Sequence, residues 1–221
     1  MESSTSIMQI GTFAHEYSHV LGLPDLYSHN VSYHGIGDWG LMATGSHNKK
    51  NISGDLPAHM SAWSKIELGW IEPIQVTDYI PSAKIYASST DKANVYKFGT
   101  GNEYFLIENR QQIGFDAGLP ASGLAIWHIE TSIGTNDRTC HPFPLRPDPD
   151  KPDEPTKIKN CDENLHYTVA LEQSDGLWEL ERNKYTWYIS YEDAGDLYTN
   201  SKNGFTYFTI PNSRFYNRHL S

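Results

Sequence analysis

The sequence predicts an α+β fold, a helical amino-terminal segment leading into an antiparallel β-sandwich. Three observations predict it. Ile7, Ile10, Ala14 and Leu21 recur at helical spacing ahead of Gly22. A second helical stretch stops at Gly69. Beyond Trp70, short runs of β-branched and aromatic residues alternate with turn residues. These patterns divide the chain into a partial subdomain over residues 1–70 and a sandwich over 71–221.

The elements follow in order. Ser3 to Ser6 offer N-cap side chains, so the first helix is expected over about residues 6–21, ended by Gly22 and then Pro24. Residues 27–56 are rich in Gly, Ser, Asn and His and read as an ordered loop region. The second helix is expected over 57–68, with Asp55 near its cap and Pro57 in its first turn. Strands are expected over 74–80, 84–87, 95–98, 104–108, 124–130, 167–172, 185–191 and 205–210. Residues 140–161 are proline-rich and charged, which suits a loop insertion.

Composition narrows the functional classes. The 221 residues are 38% hydrophobic and 20% charged, as in a soluble globular chain. A net charge of -10 argues against a nucleic-acid partner. No apolar run reaches membrane-spanning length, and the first residues lack the basic start and apolar core of a signal peptide. Cys140 and Cys161 flank the proline-rich insertion as a candidate disulfide, with two free thiols as the other reading. Asn30 and Asn51 begin glycosylation sequons. Both features lean towards an extracellular location.

The chemistry concentrates in His15-Glu16-Tyr17-Ser18-His19, an H-E-x-x-H motif, continued by Gly22 and Asp25. Histidines four apart on a helix share one face, one turn apart, so both imidazoles can hold one zinc ion. Glu16 lies beside them as a general base for a zinc-activated water. Gly22 permits a sharp exit from the helix, after which Asp25 can return as a third ligand. Glu67, His29, His34 and His47 compete for that third place. Met42, in Leu41-Met42-Ala43-Thr44-Gly45, follows at a distance suited to a turn beneath the metal, against its default role as a core filler.

Weaker signals compete with plain structural roles. Tyr27 and Tyr33 could donate to an oxyanion, or simply pack. Asp175-Gly176 and the carboxylates of residues 192–196 make calcium a further candidate ion, against ordinary turn chemistry. His128 alternates with apolar neighbours and reads as a satisfied structural histidine. No nucleophile elbow, phosphate-cradling glycine loop or four-cysteine pattern is present.

The chain resembles the immune inhibitor A family of secreted zinc metallopeptidases. The segments that carry the likeness are His15 to Tyr27, Trp39 to Ser46, Ser61 to Ile71, Tyr104 to Gln111, Gly123 to Ile129 and Leu171 to Gly176. The resemblance implies the carboxy-terminal part of a metzincin-like zinc-peptidase domain followed by a β-sandwich. It implies an endopeptidase that hydrolyses internal bonds of protein or peptide substrates outside the cell. His15 and His19 match the family's ligands, Glu16 its base, Met42 its turn methionine and Asp25 its Pro-Asp position. Only 14 residues precede His15, so the upstream half of such a domain is expected to lie outside this sequence. The competing expectation is a zinc-binding β-sandwich fragment that binds without cutting.

Overall fold

The computed structural model describes residues 8–28, 34–134, 136, 167–181, 192–199 and 204–215. Helix α1 spans Ile10–Val20, shorter than the sequence predicts, because extended Gln9 stands at its start without a side-chain cap. Gly11 donates instead to Gly54 O at 2.9 Å, which satisfies one first-turn N–H. A Cβ at Gly11 would come within 1.9 Å of Ser46 O, so glycine is what lets α1 touch this loop.

Helix α2 spans Ala62–Glu67, beginning five residues later than expected. Ser61 takes the cap by accepting from Ser64 N at 3.2 Å. The backbone of residues 57–60 is used elsewhere: Ala58 N donates to Gly45 O, and His59 O accepts from Leu41 N. Both helices end alike. Gly22 (φ 103) and Gly69 (φ 67) leave each helix left-handed. Leu23 N then returns to Ser18 O, and Trp70 N to Lys65 O, which caps the last-turn carbonyls.

Five strands form one sheet in the order β1 (Ile74–Val76), β2 (Tyr96–Phe98), β3 (Glu103–Arg110), β4 (Gly123–Glu130) and β5 (Val169–Leu171). β1 and β2 are parallel; the other pairs are antiparallel. β3 and β4 pair over eight positions, from Glu103 opposite Glu130 to Arg110 opposite Gly123.

The expected sandwich is met only in part. Among the described residues there is one sheet: residues 84–86 are irregular, with an isolated bridge at Ala87, and 205–210 form turns. Residues 185–191, and the insertion with Cys140 and Cys161, lie outside the described residues.

Alternation along β3 and β4 divides their side chains between two apolar clusters. Tyr104, Leu106, Ala125, Trp127 and Ile129 enter the main core, which also holds Leu26, Trp39, Met42 and Trp63. That core is continuous across the predicted boundary at residue 70. Phe105 and Ile126 face the other way, where Tyr198 and Phe205 cover them. The second layer is therefore partly irregular chain. No helix among the described residues is long and apolar enough to cross a membrane.

Candidate metal centre

His15 and His19 stand one turn apart on α1, with ring centroids 4.9 Å apart and planes at 87°. His15 Nδ1 lies 2.8 Å from Leu41 O, and His19 Nδ1 lies 2.8 Å from Leu23 O. A carbonyl only accepts, so both Nδ1 atoms carry the proton and the lone pairs fall on Nε2. Those Nε2 atoms meet Asp25 Oδ1 at 3.0 and 3.2 Å. Two lone pairs converging on a carboxylate oxygen repel unless a positive charge sits among them, as a proton or a metal ion.

The donor set fits zinc. Tetrahedral ligands about 2.0–2.1 Å from a metal are roughly 3.3 Å from one another, close to the separations found here. The Nδ1 bonds to backbone carbonyls are the second layer of support that metal-binding histidines commonly have.

Asp25 is held from both sides by the residue after it. Leu26 N donates to Met42 O at 2.8 Å, while Leu26 O accepts from Ile36 N and from Asn136 Nδ2, each at 3.0 Å. Asn136 also pairs with Val169 on β5, so the site is tied to the sheet. Met42 is buried, and the loop that carries it places Leu41 O on His15. Glu16 is exposed next to the histidines.

Sequence reasoning missed Asn136 and the two carbonyl partners. A backbone oxygen has no residue signature, and Asn136 is far from the motif. Leu41 at least lay within the segment singled out for Met42.

Other expected residues scatter. Tyr27 stacks near His15, with centroids 6.2 Å apart. Glu67 lines the adjoining cavity of about 380 Å³ with Asp25 and Trp63, but it is not among the donors that converge with the histidines. His34 bonds to Glu192 at 2.8 Å, and His47 is exposed. Asn51 is exposed in a turn, whereas His29, Asn30 and Tyr33 lie outside the described residues. His128 has a carboxylate on each ring nitrogen, Glu172 and Glu103, both at 2.9 Å.

Comparison with known proteins falls on this same segment. Residues 6–71 match the family profile of the immune inhibitor A peptidase M6 catalytic domain. That is a metallopeptidase family. The pre-pro-metalloprotease PrtV of Vibrio cholerae serotype O1 is 44% identical over 59 residues, in both strain M66-2 and strain ATCC 39315 / El Tor Inaba N16961. The alignment takes in 25% of this chain and 6% of that protein. No solved structure matches the chain. The peptidase M6 match thus contains α1, Asp25, Met42 and α2, and ends before the sheet.

Proposed function

We propose that this chain carries the site of a zinc endopeptidase that hydrolyses internal peptide bonds of proteins. The single observation that carries the reading is the convergence of His15 Nε2, His19 Nε2 and Asp25 Oδ1 within the segment that matches the peptidase M6 catalytic domain. His15, His19 and Asp25 would hold the ion. Zinc, when bound there, supplies Lewis-acid polarisation of a carbonyl and acidifies water.

The chain's own groups do the rest. Leu41 O and Leu23 O keep both imidazoles in the ligating tautomer. Exposed Glu16 takes the proton of the attacking water and passes it to the leaving amine. Met42 and its loop form the floor that fixes His15 against Asp25. An extracellular location belongs to the same reading, through the resemblance.

Glu16→Ala tests the assignment. The variant is expected to bind zinc as the parent does and to lose at least about 100-fold in cleavage of a denatured protein. Wild-type turnover in that variant would remove Glu16 from the mechanism. One observation favours the binding-only reading: Phe13, Tyr17 and Val20 leave α1 with an exposed apolar face. Tight zinc binding without proteolysis by the parent chain would establish that alternative.

A further inference from the structure

After β5 the chain turns through residues 172–179 and meets the 192–197 segment, and three carboxyl groups come together there. Asp175, Glu179 and Asp196 each place one carboxylate oxygen within 4.8 Å of the other two. Oxygens about 2.4 Å from a shared centre are at most about 4.8 Å apart, so the group has the span of ligands around one calcium ion. Crowded acidic groups are common in turns, and the spacing alone would carry nothing.

Asp196 supplies the independent observation. It is 1% exposed. Its Oδ2 accepts from Trp39 Nε1 at 2.9 Å and from Asp193 N at 3.2 Å. Its Oδ1 is sealed from solvent and has no hydrogen-bond partner. A buried carboxylate oxygen without a donor is costly unless a cation faces it.

The backbone is shaped to bring these groups close. A Cβ on Gly195 would lie 2.3 Å from Asp175 Oδ2 and 2.9 Å from Asp193 Oδ1, so only glycine admits the carboxylates here. Ser174 N donates to Asp196 O, and Asp175 N to Gly195 O, which lace the two turns together.

We propose that Asp175, Glu179 and Asp196 form a structural calcium site separate from the histidine centre. Three hard oxygen donors select calcium over zinc. Because Trp39 donates to Asp196, the ion secures the 192–197 segment to the loop that continues to Met42.

The test uses the full chain stripped of divalent ions. Calcium chloride is expected to raise the melting temperature by a few degrees, and terbium chloride to give emission sensitised through the Trp39 indole. Asp196→Asn keeps an oxygen for Trp39 but removes the charge, and is expected to lose both responses while still binding zinc. Asp175→Asn, at an exposed position, provides the same comparison should the first variant fold poorly. No calcium shift and no emission in the parent would overturn the site. Emission that survives Asp196→Asn and vanishes in Asp25→Asn would overturn it too, as would a magnesium response equal to calcium's.

Discussion

Gly22 shows how much of the histidine centre depends on one backbone angle. At φ 103 it occupies a region that side-chain-bearing residues rarely adopt, although nothing lies within 4 Å of the place a Cβ would take. The demand is conformational, not steric crowding. From this residue the chain reverses, so that Leu23 O reaches His19 and Asp25 reaches both histidines. Gly22→Ala is therefore expected to cost about 1–3 kcal/mol of stability. It should also weaken zinc binding, because Asp25 and the His19 partner move with the turn. Denaturant melts with zinc titration check this, and an unchanged midpoint would contradict it. Met42 makes a contrasting case, since what its loop contributes most directly to His15 is the neighbouring Leu41 carbonyl.

Helix α2 and strand β3 meet through buried charge. Glu108 on β3 receives Ala62 N at 3.1 Å, Lys65 Nζ at 3.4 Å and Trp127 Nε1 at 2.8 Å, together with the hydroxyl of Ser88. Arg110, two residues on, forks onto Asp116 at 2.6 and 2.8 Å and reaches Trp39 O at 2.6 Å. One network thus joins α2, β3, the Gly114–Gly118 turn and the loop before Met42. Burial acts to raise Glu108, yet Lys65, Arg110 and the hydrogen bonds bring it down to about 2. Glu108→Gln would leave Lys65 and Arg110 buried with one counter-charge fewer. The expected loss is about 3–5 kcal/mol, read by urea denaturation; a loss below about 1 kcal/mol would show that the network contributes little. No sequence pattern announces this device, because Lys65 and Glu108 are 43 positions apart.

Across the whole molecule, two buried groups and the half-buried His59 each make stability depend on pH. Burial, then the charge of Lys65, hold His59 down to about 4 from 6.5. The unfolded chain binds the proton more readily, so stability falls as pH drops from about 6.5 to about 4. Glu108 is depressed from 4.5 to about 2, so its contribution, present above about 4.5, is lost as pH falls towards 2. His128 moves oppositely: burial lowers it, but hydrogen bonds and charge from Glu103 and Glu172 leave it raised. Its contribution is complete below 6.5 and is lost as pH rises through the raised value. In thermal melts across a pH series, replacing His128 should therefore remove a loss of stability that the parent shows as pH rises above 6.5. A profile still rising towards alkaline pH would refute the His128 account.

Legibility followed the range of each interaction. The motif from His15 to Asp25 was readable because helix periodicity and one glycine turn bring its residues together within eleven positions. Strands β3 and β4 were readable for a similar reason, as long runs of β-forming residues bounded by turns. The starts of both helices were overextended, because caps and loop bonding at Gln9 and Ser61 compete with propensity in ways composition does not reveal. Residues 205–210 look strand-like in sequence, yet they serve as turns over Phe105 and Ile126.

By itself, then, the sequence determined the donor types and local spacing of a candidate metal site and the presence of a strand-rich body. Tertiary structure decided that the Leu41 carbonyl, 26 positions away, orients His15, that Asn136 ties Leu26 to β5, and that Asp196 lies buried against Trp39. Those outcomes depend on contacts between residues tens to more than a hundred positions apart. Such contacts arise only when a shared core brings the segments together, so no local pattern encodes them.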